Sequence, residues 1–350
     1  MAKLIIPEPV SGGIFLTYKC TNECRHCMYA CSPKWRSDWI NLEDAERIFE
    51  VLSRAFNKKY PKGFNRVGVN LGLHLTGGEP FLNFNLLFEL VKLANKYEIP
   101  SLFVETNCFW CTNDEITEER LFKLKEVGLN GILISVNPFV IEYVPFERIE
   151  RAVNISRRIF KENTIIYQEL FFDQLKMVGL KETLSFEDYL AVMREKDPLG
   201  LYLGLSYPSM LLMGRIPYKI GYLYKKYPAK KFFNESCLKE LTRDWHIHVD
   251  NYCNYISGYC AGISLGEARK LEKLCQDGME LDDHPIIEKL VSSRGIGKLF
   301  EYASSEYGYR ERREGYISKC HLCLDIRKYI VEEGEEFKEL KPKDFYKHLE

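Results

Sequence analysis

Over residues 1–206 the chain alternates short apolar runs with longer segments whose apolar positions recur at helical spacing. Buried strands are expected at 14–19, 71–76, 101–106, 131–136, 164–170 and 201–205. Between them the pattern predicts helices over about 42–55, 84–96, 117–127, 147–161 and 185–195. Asn41 or Asp44 is placed to cap the first helix, with acids in its opening turn. Short apolar strands alternating with amphipathic helices make parallel βα units. Six such units predict an α/β fold, a partial (β/α)6 TIM-type barrel, with functional groups gathered at the carboxyl ends of the strands. After about residue 207 the alternation stops. The expected division is a barrel over 1–206 and a cysteine-rich C-terminal extension over 207–350.

Charge narrows the partners. The 350 residues carry a formal net charge of −1, so no global basic field draws in nucleic acid. No apolar run reaches about 18 residues, so no membrane span is expected. The N-terminal apolar run is broken at Pro7, which argues against a signal peptide, and a cytoplasmic location is expected. Twelve cysteines in such a chain point to metal or redox chemistry in a reducing compartment.

The chemistry concentrates first in Cys20-Thr21-Asn22-Glu23-Cys24-Arg25-His26-Cys27. Thiolates bind soft metals and iron–sulfur clusters. Three thiolates on a four-iron cluster leave one iron open, and an open position marks a catalytic centre. A structural zinc site with Cys31 as fourth ligand is the alternative. The second expected strand ends in Gly77-Gly78-Glu79-Pro80, which alone would be only a turn. The third ends in Glu105-Thr106-Asn107, and the fourth is followed by Asn137. All of these fall where a barrel places its functional groups.

The CxxxCxxC spacing followed by Gly-Gly-Glu-Pro resembles the radical S-adenosylmethionine (radical SAM) superfamily. The resemblance implies a catalytic 4Fe–4S cluster on Cys20, Cys24 and Cys27, whose open iron the methionine amine and carboxylate of the cofactor chelate. One electron then cleaves a carbon–sulfur bond and gives a 5′-deoxyadenosyl radical. It implies that His26, standing where the family usually has an aromatic residue, lies near adenine. Gly77, Gly78 and Glu79 would seat the methionine amine. Asn107 would match the family's third-strand pattern, and Ser135 and Asn137 would meet ribose or carboxylate. An external electron donor such as ferredoxin or flavodoxin is implied as partner. Cys108-Phe109-Trp110-Cys111 departs from the pattern, because Cys108 stands where glycine is usual. Cys108, Cys111 and Cys31 are the candidates for catalysis: a thiol pair that donates hydrogen or forms a disulfide, extra cluster ligands, or packed thiols.

In the extension, Met213-Gly214-Arg215 resembles a turn of the SPASM and twitch subgroup. The stretch from Cys237 through His246, His248 and Cys253 to Cys260 resembles that subgroup's β-hairpin. Downstream stands Cys320-His321-Leu322-Cys323, and a CxxC holds two ligands close. The resemblance implies one auxiliary 4Fe–4S cluster on Cys237, Cys260, Cys320 and Cys323. Cys253 is a possible substitute ligand, Cys275 is expected to be a helix core thiol, and zinc on the same four is the alternative. Arg327 and Lys328 are expected to cap a helix end or neutralise cluster charge. The function implied is hydrogen abstraction from a peptide or protein side chain. Remodelling of a small molecule and a non-catalytic zinc protein are the competing readings.

Overall fold

Burial on both faces turns most of the short apolar runs into parallel strands, the edge strand Thr164–Tyr167 being only half-buried. In the computed structural model, which describes residues 3–334 and 336–350, these are β1 (Ser11–Phe15), β2 (Gly72–Thr76), β3 (Phe103–Thr106), β4 (Gly131–Ser135) and β5 (Thr164–Tyr167). They pair in parallel in the order β5-β4-β3-β2-β1. The register sets Phe15 opposite Thr76, Thr106 opposite Ile134, and Ser135 opposite Tyr167. The carboxyl ends therefore share one edge. Helices Leu42–Phe56, Phe84–Lys96, Asp114–Glu126 and Phe146–Phe160 follow the first four strands. This is the α/β architecture of a partial TIM-type barrel.

Local chemistry sets the helix starts. Asn41 accepts from the Asp44 N–H at 2.8 Å, and Asn113 accepts from that of Ile116 at 2.8 Å. The Asn113 cap starts its helix three residues before the expected position. The first helix buries Ile48, Phe49, Leu52 and Phe56, each worth about 2 kcal/mol of transfer free energy.

Three expectations are corrected. The first strand is Ser11–Phe15 rather than 14–19, because beyond Phe15 the chain turns into the cysteine loop, where the Lys19 N–H donates to Thr17 Oγ1 at 2.9 Å. The segment 201–205 is not a sixth strand but part of a helix, Pro198–Leu205. Asp197 caps it by accepting the Gly200 N–H at 3.0 Å, and Pro198 fills the first position, where no N–H is needed. The fifth strand stops at Tyr167, and the residues expected to continue it begin a helix, Glu169–Met177.

The chain divides into two units. One comprises Val10–Cys24 and Cys31–Met210 and carries the parallel sheet. The other comprises, among the described residues, 3–9, Arg25–Ala30 and those from Leu211 to Glu350. The short segment 25–30 thus groups with the C-terminal residues, which the sequence did not announce. Within that second unit, β6 (Ile247–Val249) and β7 (Tyr255–Ile256) form an antiparallel hairpin, and helix Lys319–Glu332 carries the CxxC pair. Among the described residues no helix is long and apolar enough to cross a membrane.

Candidate functional site

In the barrel unit, hydrogen bonds tie the first three strand ends together. The Gly78 N–H donates to Thr17 O at 2.7 Å and the Glu79 N–H to Lys19 O at 3.1 Å. A Cβ at Gly77, where φ is +116°, would lie 2.4 Å from Thr17 O, and one at Gly78 would lie 1.9 Å from Lys19 O. The close approach these glycines permit is to the chain entering the cysteine loop. Gly78→Ala is therefore expected to push the 17–19 segment away and cost about 3 kcal/mol, read as a lowered denaturation midpoint.

Glu79 is fully buried. Its Oε1 accepts from the Phe81 N–H at 3.1 Å and the Thr106 hydroxyl at 2.9 Å, and its Oε2 from the Asn107 N–H at 2.8 Å. Burial pushes its pKa up to about 7 against the pull of those donors. Asn107 reaches back to the loop, donating from Nδ2 to Thr21 Oγ1 at 2.9 Å and to the Cys20 sulfur at 3.7 Å. The Asn22 N–H also donates to that sulfur, at 3.4 Å. Donors at a thiolate disperse its charge and tune any iron it holds. The Asn22 Nδ2 is buried with no hydrogen-bond partner, a donor left over inside the cysteine loop. Cys20 and Cys24 are both buried.

Behind Glu79 stands a support that the sequence did not reveal. The Thr106 oxygen that donates to Glu79 accepts from Trp110 Nε1 and from the Cys108 N–H, each at 3.0 Å. The Trp110 ring stacks on Phe81 at 4.0 Å, and the Arg120 guanidinium lies 5.7 Å from its centre. Cys108 takes a φ of +66° and is fully buried, as is Cys111. Burial and the neighbouring Cys111 thiol raise the Cys108 pKa well above the usual thiol range. A protonated thiol closed to solvent is suited to hydrogen donation and poorly suited to nucleophilic attack. Cys31 is also buried. Asn137 spends its Oδ1 on the Phe139 and Val140 N–H groups, each at 3.1 Å, and so caps a turn, while Ser135 is half-buried.

In the second unit, the Met213-Gly214-Arg215 turn grips the segment that carries His26 and Cys27. The Arg215 N–H donates to Cys27 O at 3.2 Å, and its fully buried guanidinium donates to Ala30 O at 2.7 Å and His348 O at 2.8 Å. Gly214, at φ +58°, lies so close that a Cβ would stand 2.5 Å from Met28 Cα. Burial, with Arg215 adding to it, lowers the His26 pKa to about 4, so the ring is neutral and flat at ordinary pH. Tyr29 donates to Gly258 O at 2.9 Å and its hydroxyl lies 2.8 Å from His248 Nδ1.

Cys237, Cys260, Cys320 and Cys323 line one cavity of about 80 Å³. Cys320 and Cys323 sit one turn apart at the N-terminus of their helix, an end that favours negative charge. Ser318 caps that helix, accepting the His321 N–H at 3.0 Å and donating to Leu212 O at 2.7 Å. Arg312 and Tyr309 hold Asp325 on the same helix at 2.7 Å each. Burial and the neighbouring thiols push Cys320 up to about 12 and Cys260 up to about 11. Such thiols ionise only beside a strong cationic centre, which a metal provides. Arg327 also lines the cavity and is buried, and its Nε has no hydrogen-bond partner. Four thiols and an orphaned cationic donor fit an anionic metal–thiolate group. Cys253, at φ +63°, sits in the hairpin turn outside the cavity lining. Cys275 is half-buried in helix Leu271–Asp277, where its thiol donates to Pro7 O at 3.6 Å.

A family model for the radical SAM superfamily matches residues 14–191, just over half of the chain. The chain belongs to the radical SAM superfamily, which works with S-adenosylmethionine and a 4Fe–4S cluster. YydG of Bacillus subtilis, whose name ties it to peptide biosynthesis, is 23% identical over 146 residues, 42% of this chain and 41% of that one. The chain thus spans less than half the length of that relative. The uncharacterized protein MJ0907 of Methanocaldococcus jannaschii is 25% identical over 246 residues, 64% of this chain and 79% of that one. BtrN in complex with AdoMet and 2-DOIA aligns at a TM-score of 0.45 with 14% identity, covering 85% of this chain and 91% of that one. Native anSMEcpe with bound AdoMet and Kp18Cys peptide aligns at 0.44 with 11% identity, covering 93% and 98%.

Proposed function

We propose that this protein is a radical SAM enzyme with two 4Fe–4S clusters that modifies a peptide or protein side chain. The observation that carries the reading is the hydrogen-bonded set joining the Cys20 loop, Glu79 and Asn107 at the strand ends. Cys20, Cys24 and Cys27 would hold the first cluster, which, when reduced, drives cleavage of S-adenosylmethionine and so initiates hydrogen abstraction. Glu79 keeps acceptor capacity on Oε2 beyond its bond to Asn107, and that would receive the methionine ammonium. His26 offers a neutral ring for adenine. Cys108 and Cys111 remain a buried thiol pair behind Glu79, and an external low-potential protein would supply the electron.

Cys237, Cys260, Cys320 and Cys323 would hold the second cluster. A zinc tetrathiolate, with Zn–S of about 2.3 Å, needs sulfurs about 3.8 Å apart. A 4Fe–4S cluster takes the same four thiolates, and the iron and sulfide count separates it from zinc. The peptide substrate is supported by the likeness to YydG.

The test is anaerobic reconstitution with iron and sulfide counting, followed by dithionite and S-adenosylmethionine. About eight irons per chain and formation of 5′-deoxyadenosine are expected. Bound zinc, with no 5′-deoxyadenosine, would sink the proposal. Incubation with peptides encoded beside the gene should then give a mass change.

A further inference from the structure

We infer that Arg327 sets the reduction potential of the second cluster by placing its charge and its Nε–H against the Cys323 side of the four-cysteine cavity. The inference rests on the proposed auxiliary cluster. Its starting observation is a mismatch between two neighbours. Lys328 is spent on Glu332 at 2.7 Å and Glu350 at 3.2 Å. Among the described residues Arg327 has no carboxylate of its own. Its Nη1 donates to Ala261 O at 3.0 Å and Tyr346 Oη at 2.7 Å, which fixes the plane of the guanidinium. Tyr346 in turn donates to Gly262 O at 2.7 Å. The Nε is left over, in a side chain that is only 5% exposed and lines the thiol cavity. Cys323 stands one turn before Arg327 on the same helix, and both line the cavity.

A buried, unpaired arginine is costly unless an anion faces it. Four thiolates on a cluster make that anion. Reduction adds one electron and one further negative charge to it. A fixed cation and an N–H donor at a ligating sulfur stabilise the reduced form more than the oxidised form, so they raise the potential. Lys319 contributes less, because Glu240 holds its ammonium at 2.6 Å. Arg327 would thus make the second cluster easier to reduce than the same four thiolates would without it.

The experiment is a dithionite titration of the reconstituted full-length chain, followed by electron paramagnetic resonance, with iron counted in each sample. In Arg327→Gln the second cluster should drop in potential. At a fixed ambient potential its oxidised-to-reduced ratio should rise at least about tenfold, or about 59 mV for a one-electron couple. An unchanged potential in a variant that keeps about eight irons overturns the inference. If Arg327→Gln loses the second cluster, Arg327→Lys is read the same way. A lower potential there supports the role of the Nε–H, and an unchanged one overturns it. Loss of the second cluster from both variants, with the first intact, also overturns it, because Arg327 would then be structural. If the wild-type chain binds only about four irons, the auxiliary-cluster reading itself fails, and the count shows this before any titration.

Discussion

Glu79→Leu is expected to abolish S-adenosylmethionine cleavage and to cost about 3–5 kcal/mol of stability, because three donors lose their acceptor at once. The Phe81 N–H, the Asn107 N–H and the Thr106 hydroxyl all end on this carboxylate, inside a fully buried site. Leucine matches the volume but accepts none of them. Glu79→Gln separates the two effects. It keeps the size and most of the bonds, yet removes the charge that would pair with the methionine ammonium. A charge-assisted bond of about 1.5–3 kcal/mol predicts affinity for S-adenosylmethionine lower by roughly tenfold to a hundredfold in equilibrium dialysis. Wild-type affinity in Glu79→Gln would remove Glu79 from the cofactor seat.

The same residue carries a pH signature. Its folded pKa of about 7 stands above the ordinary value of 4.5, so the fold holds the proton more tightly than the unfolded chain does. The stability this confers is fully present below pH 4.5 and is lost as pH rises through about 7, by about 3 kcal/mol for a shift of this size. Cofactor binding runs the other way, because the ammonium needs the carboxylate, and affinity should fall as pH drops through 7. Glu105, also pushed up to about 7 by burial, adds to the stability slope but lies outside the proposed ammonium seat. Chemical denaturation at pH 5 and pH 8 should therefore show a difference that shrinks, without vanishing, in Glu79→Gln. A slope identical in wild type and variant would assign the whole effect to other groups.

The inner barrel strands were legible because each carries a short apolar run that the parallel sheet buries, whereas the edge strand Thr164–Tyr167 is only half-buried and the first strand begins in Ser11-Gly12-Gly13, ahead of its apolar run. Residues 201–205 defeated that rule. A run of leucine, tyrosine and glycine has no period, so burial of one side cannot be told from burial of two. The deciding signal lay upstream, in Asp197-Pro198, a cap followed by a residue that fits only the first helical turn. The candidate site divides in the same way. Cysteine spacing and Gly-Gly-Glu-Pro are local in sequence and were readable. The grip of Arg215 on Ala30 joins residues 185 apart, and the Trp110 support of Thr106 depends on how one turn folds back. Arg327 was noticed only as a nearby charge. Among the described residues Lys328 has two carboxylate partners and Arg327 has none, a difference that only the folded chain displays.

Replacing both Cys320 and Cys323 with alanine should halve the iron, from about eight to about four per chain, and leave the first cluster's spectrum intact. The helix that carries them should survive. Its cap is Ser318 and its anchors are Arg312 and Tyr309 on Asp325, none of which depends on a thiol. The unfolded-like cost is small, since the removed sulfurs face a cavity that is already present. S-adenosylmethionine cleavage without substrate should continue, while product formation stops. Cys24→Ala should do the reverse, removing the other half of the iron and taking 5′-deoxyadenosine below detection. The two variants thus dissect one chain into two metal sites with separable readouts. An unchanged iron count in the Cys320/Cys323 variant would disprove the four-cysteine assignment. Loss of all iron would instead mean that the two sites load as one, which the separate anchoring of the helix argues against.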